Sequence, residues 1–91
     1  MNNYQIHKDI VLEKICGTWM LVALASAQKD VPYTRQINET GAFIWKQLNE
    51  GSDLSTIKER LRQEYPNADP ELINADVDSY IALLKKNRYI I

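Results

Sequence analysis

The feature that most constrains this chain is a change of hydrophobic period at Asn38. Before it, apolar residues come in short runs suited to strands. After it they recur at the spacing of one helix face. The junction is the stretch QINETGAFIWKQL, residues 36–48, which reads as the end of a strand followed at once by an amphipathic helix. It also carries Gly41 in the helix's first turn, where glycine costs roughly 1 kcal/mol relative to alanine. Gly41 falls on one stripe with Ile44, Trp45 and Leu48. A missing side chain there lets the helix approach the sheet or another helix closely.

Upstream of the junction, residues 10–15 (IVLEKI) predict a first strand and residues 18–24 (TWMLVAL) a second, with Cys16-Gly17 as the turn between them. Residues 26–32 form a polar connection. Residues 33–37 (YTRQI) predict a third strand with Tyr33, Arg35 and Ile37 on one face and Thr34 and Gln36 on the other. This strand is polar and preceded by proline, as edge strands are.

Downstream, Asn38 is a good N-cap for a helix over 39–49, and Gly51 is its stop signal. Asp53 caps a second helix over 54–65, with Leu54, Ile57, Leu61 and Tyr65 on its apolar face and Pro66 ending it. Asp69-Pro70-Glu71 opens a third helix over 70–87, whose buried stripe is Ile73, Val77, Ile81 and Leu84. An adjoining stripe holds Asp76, Tyr80, Leu83 and Asn87, and the closing RYII is apolar enough to pack back. Strands followed by helices, with no linker or repeat, predict one α+β domain over 1–91: a three-stranded antiparallel sheet and three helices.

The 91 residues suffice for one small core, and 45% apolar with 25% charged residues is an ordinary globular composition. Cys16 is the only cysteine, which excludes an internal disulfide; an apolar-flanked cysteine is expected in a core. The longest apolar run, about residues 19–25, is far short of the ~20 residues of a membrane helix. The N-terminus lacks the pattern of a secretory signal, so the expected location is the cytoplasm and no membrane partner is expected.

Catalytic chemistry has little to stand on. His7 is the only histidine, and the three glycines are too far apart for a phosphate loop. Asp76 and Asp78 point to different sides of their helix, and Glu39, Glu71 and Asp76 join as metal ligands only through the tertiary fold. The expectation is a non-enzyme without cofactor or metal.

Two binding readings stay open. In the first, the second and third helices form a helix-turn-helix that enters a DNA major groove. The first half of the third helix is acidic, however, and a net charge of −1 does not suit phosphate binding. In the second, the edge strand 33–37 accepts a peptide as an added strand, with Asp76, Tyr80 and Leu83 as groove wall. Against that, Tyr80 and Leu83 also fit as residues that complete the core.

The ordered set Ile37-Asn38, Gly41-Ala42, Ile44-Trp45, Gly51, Ile57, Leu61, Asp76-Val77, Tyr80-Ile81 and Leu84 resembles the family of the pyrroloquinoline-quinone biosynthesis protein D. The resemblance spans roughly residues 9–91. It implies a winged-helix-like domain acting as a stand-alone recognition element for ribosomally made, post-translationally modified peptides. Such elements bind the leader segment of a precursor peptide as a strand added to the third strand. They present it to a tailoring enzyme, such as a radical S-adenosylmethionine enzyme, a cyclodehydratase, or a leader peptidase and cyclase. Carried over, the peptide-binding residues are Tyr33, Thr34, Arg35, Gln36 and Ile37 on the strand, and Asp76, Tyr80, Leu83 and Asn87 on the last helix. An exposed edge can also pair with its own copy, giving a homodimer. One departure stands out: the family often has glycine before its final hydrophobes, where this chain has Asn87-Arg88-Tyr89.

Overall fold

The computed structural model describes residues 5–29, 31 and 33–90. Strands β1 (Ile10–Ile15), β2 (Thr18–Ala23) and β3 (Thr34–Ile37) form an antiparallel sheet in the order β1-β2-β3, so β1 and β3 are its edges. Helices α1 (Glu39–Asn49), α2 (Leu54–Glu64) and α3 (Pro70–Lys86) follow. The expected α+β class, a three-stranded antiparallel sheet and then three helices, is the one observed.

The β1–β2 hairpin turns on Cys16 and Gly17, both with positive φ (51° and 80°). Two such residues are what a type I′ turn needs to match the twist of its strands. This corrects the expected core placement of Cys16: at the tip of a two-residue turn its side chain has no layer to enter, and it is exposed. The connection after β2 is also less polar in effect than expected. It contains a short 3₁₀ turn, Ala25–Lys29, and Ala27 and Val31 are buried.

Each helix opens on a side-chain cap. Asn38 accepts a hydrogen bond from the Gly41 amide at 2.7 Å, Asp53 from Thr56 at 2.9 Å and Asp69 from Glu71 at 2.9 Å. Bonds from the Thr56 hydroxyl and amide hold the Asp53 carboxyl well below the usual carboxylate range. At the far end of α1, Gly51 takes φ 88° while its amide bonds Leu48 O and that of Ser52 bonds Gln47 O. This is a Schellman ending, and glycine takes its left-handed position without strain.

The core lies between the sheet and the helices. Leu21 of β2 meets Ile44, Trp45 and Leu48 of α1, Ile57 and Leu61 of α2, and Ile73, Val77, Ile81 and Leu84 of α3 in one cluster. Leu54 stays half-buried, and Tyr65 falls just past α2 with its ring exposed. The helix ends one residue earlier than its apolar pattern, so the final member turns outward. Lys58 pairs with Asp78 at 2.9 Å and Arg62 donates to Asn74 at 2.6 Å, joining α2 to α3.

The C-terminal residues return to the sheet. Tyr89 and Ile90 are buried, Ile6 bridges Ile90, and the His7 amide bonds Tyr89 O at 3.1 Å. The Tyr89 ring meets Trp45 edge-on, centroids 6.4 Å apart. Here Arg88 occupies the left-handed position at φ 68°, while Tyr89 N bonds Leu84 O and Arg88 N bonds Lys85 O. The helix therefore ends in the same motif as α1 without a glycine. Among the described residues, no helix is long and apolar enough to cross a membrane.

Candidate functional site

The site begins with the backbone of β3. In an antiparallel pair, opposed residues alternate between those that exchange hydrogen bonds and those that do not. The Ala23 amide bonds Tyr33 O at 2.9 Å, and the register then pairs Leu21 with Arg35 and Trp19 with Ile37. Tyr33, Arg35 and Ile37 therefore turn their backbone groups toward β2. Thr34 and Gln36 turn theirs outward, where among the described residues no strand follows in the sheet. The register settles a parity that the sequence left open.

Side chains follow the same alternation. Arg35 and Ile37 share the face of the buried Leu21 and are half-buried, whereas Thr34 and Gln36 are exposed on the outer face. Tyr33, expected in the strand, lies one residue before it; its ring is 67% exposed although its carbonyl extends the ladder.

Next to this edge, Asn38 leaves β3 and caps α1 without an intervening loop. The first turn of α1 then faces α3 across a hollow of about 350 Å³ lined by Asn38, Thr40, Gly41, Ile44, Asp76, Ser79, Tyr80 and Leu83. Asp76, Tyr80 and Leu83 of the expected stripe thus come together, and Leu83 is exposed at the rim. Asn87 does not join them. It ends α3, and its side-chain amide donates to Leu83 O at 2.9 Å. None of residues 33–37 lines the hollow. Thr40 and Ser79 escape notice in the sequence as exposed-face polar residues; only Ser79, three residues after Asp76, carried a positional signal.

The wall is built on Gly41. A Cβ there would stand 2.7 Å from Tyr80 Oη and 2.9 Å from Tyr80 Cζ, so the ring occupies space that glycine alone leaves free. The stripe in which Gly41 was read is real, but its close neighbour is the α3 tyrosine.

Behind the wall sit two phenols and one cation. Both hydroxyls are buried; among the described residues that of Tyr80 meets no hydrogen-bond partner, while that of Tyr89 faces the Arg35 guanidinium. Arg35 lies over the Tyr89 ring, its Cζ 5.8 Å from the centroid. Burial pushes the Tyr80 phenol up to about 12, and the Arg35 charge pulls against it. Burial likewise raises Tyr89, again opposed by Arg35. Arg35 is therefore a half-buried cation facing aromatic groups, rather than one projecting freely from the strand. Among the described residues, no group of histidine, cysteine or carboxylate side chains is arranged to hold a metal ion.

Comparison with known proteins points one way. TbiB1, in a structure described as a complex with the TbiA(beta) leader peptide, superposes with TM-score 0.75 at 20% identity, covering 94% of this chain and 93% of that one. A lasso peptide synthetase B1, complexed with its leader peptide, gives TM-score 0.76 at 19% identity, covering 97% and 96%. A search of curated protein sequences finds no match. The profile of coenzyme PQQ synthesis protein D (PqqD) matches residues 22–90, from β2 through the C-terminal return. That span holds every element of the site, and the chain belongs to the PqqD family.

Proposed function

We propose that this protein is a peptide-recognition module acting in the cytoplasm. It binds the leader segment of a ribosomally made precursor peptide as a strand along β3 and presents it to a tailoring enzyme, itself contributing no catalytic group. The observation that carries this is the open edge: Thr34 and Gln36 turn their backbone groups outward, and Arg35 between them carries its charge near Tyr80 of the Gly41–Tyr80–Leu83 wall. Strand addition supplies affinity through the backbone, and an adjoining groove supplies specificity through alternate side chains. Both structural neighbours are described as bound to leader peptides, which supports the reading.

In this scheme the inward side chains of the peptide pass Arg35 and Ile37, where Arg35 favours an acidic residue, and reach the hollow against Tyr80 and Leu83. Tyr33 and Asp76 flank its ends, and Asn87 supports Leu83 through the helix end. The same edge offers itself to a second copy, so peptide and self-pairing compete.

The test is a titration of the protein with a labelled synthetic leader from a precursor peptide encoded beside its gene, read by fluorescence anisotropy. Saturable binding is expected, weakened about tenfold by Leu83→Ala with the thermal midpoint preserved. Absence of binding, or unfolding by Leu83→Ala, overturns the assignment. A DNA-binding domain would instead hold duplex with an affinity that falls steeply with salt; nothing in the site favours that.

A further inference from the structure

A second feature, where β1 and β2 meet α1, is left unused by peptide addition at β3. Trp19 on β2 is half-buried, and two lysines approach its ring: Lys46 Nζ at 4.3 Å from the centroid and Lys14 Nζ at 5.2 Å. Lys14 comes from the neighbouring position on β1, directly opposite Trp19, and Lys46 comes from α1. Beside them opens a hollow of about 370 Å³, with Ile10, Leu12 and Trp45 as apolar lining and Lys8, Lys46 and Asn49 as polar lining.

Charge makes this arrangement unusual for the chain. Its formal net charge is −1, yet two exposed lysines meet one indole and a third, Lys8, lines the hollow beside it. Among the described residues none of Lys8, Lys14 and Lys46 forms an ion pair; the carboxylates of Glu39 and Glu64 line a separate, smaller hollow on the α2 side of Trp19 and Lys46. Attraction to the ring holds both ammonium groups at one indole. An anionic group arriving at the ring edge is attracted by both lysines, and an apolar neighbour on the same ligand fills the hollow.

We infer that the Lys14–Trp19–Lys46 cluster is a docking surface for an acidic segment of a protein partner, one presenting an aspartate or glutamate next to an apolar side chain. Lys14 stands on β1, the edge opposite β3, and Lys46 on α1; Trp19 is on the central strand, paired with Ile37, so the cluster leaves the outward edge of β3 open. A recognition module of the kind proposed above needs such a second surface to hold a modifying enzyme while the peptide stays bound. The inference itself rests on the cluster and stands whether or not a leader binds at β3.

The experiment titrates the full chain with a synthetic acidic-apolar peptide, acetyl-Glu-Leu-Asp-Phe-Glu-amide, and follows the indole resonance of Trp19 by NMR, assigned with Trp19→Phe. Saturable movement of that resonance is expected, together with loss of at least about tenfold in affinity in Lys14→Gln/Lys46→Gln at an unchanged thermal midpoint. The peptide with Gln and Asn in place of its acids should not bind. Equal binding of that neutral peptide overturns the proposal, as does an unmoved Trp19 resonance at millimolar peptide. Tighter binding of a 20-base-pair duplex or of phosphatidylserine vesicles overturns it in favour of those partners. Leader titration in the same lysine variant separates the two surfaces: its affinity should be unchanged, and a failure of leader binding in the parent chain bears on β3 alone.

Discussion

Gly41 and Tyr80 share a space that can hold only one side chain: a Cβ on Gly41 would lie 2.7 Å from the Tyr80 hydroxyl oxygen. Because that oxygen belongs to a rigid, largely buried ring, the ring as a whole must tilt to make room. Gly41→Ala gains about 1 kcal/mol of helix propensity and is nonetheless expected to destabilise the fold by about 1 kcal/mol in urea. In a Tyr80→Ala background the sign should reverse, with Gly41→Ala stabilising. A double-mutant cycle showing no coupling between the two positions would refute the contact.

The parity of β3 predicts an asymmetric response to proline. Gln36→Pro removes an amide that faces away from β2, so it should cost about 1 kcal/mol of stability while abolishing strand addition. Arg35→Pro removes a ladder bond and should cost about 3 kcal/mol or more. Thermal melts of the two variants, compared with leader titration of the first, check this directly. Equal destabilisation by both would mean that the register is shifted by one residue.

Tyr80 also predicts behaviour in alkali. Its phenol, near 10.0 in the open chain, is raised to about 12 in the fold by burial. Between those values the native state keeps a proton that the unfolded state has lost. The contribution is therefore complete below pH ~10 and disappears as pH rises through ~12. Tyr80→Phe should flatten the fall in urea midpoint over that window. At neutral pH it should leave stability equal or about 0.5–1 kcal/mol higher, since a buried hydroxyl without a partner is removed.

Among the described residues, two with side chains stand at positive φ, Cys16 at 51° and Arg88 at 68°. The left-handed conformation costs a non-glycine residue roughly 1 kcal/mol. Arg88→Gly should raise stability by about that amount with α3 still ending in its Schellman turn. Cys16→Asn, which builds the Asn-Gly pair favoured in type I′ hairpins, should raise it by about 0.5 kcal/mol. Urea denaturation midpoints decide both; a loss in either would show that the replaced side chain holds its turn by contacts stronger than the strain.

The elements themselves were legible because their signals are local. Asn38, Asp53 and Asp69 cap from within a few residues, and the stripes Ile44–Trp45–Leu48 and Ile73–Val77–Ile81–Leu84 repeat at helical spacing. The change of period at Asn38 therefore sufficed for three strands and then three helices, and with the motif residues it pointed to the family. Cys16 drew two local readings, a turn residue before Gly17 and a small core residue, and the structure keeps the first. The same local reasoning placed Asn87 on one stripe with Leu83, and the structure has Asn87 end α3 with its amide bonded to Leu83 O.

What only the tertiary structure decided are the relations between elements distant in sequence. The register of β2 on β3 determines that Thr34 and Gln36, not Arg35, face the open edge; a shift of one residue would reverse it. Packing of α3 across α1 turns a first-turn glycine into a cradle for Tyr80 and assembles Thr40, Asp76 and Ser79 round one hollow. Helix periodicity specifies which face is buried. It carries no information on what the adjoining face meets, because that depends on how two helices cross, and the crossing is set by the whole core.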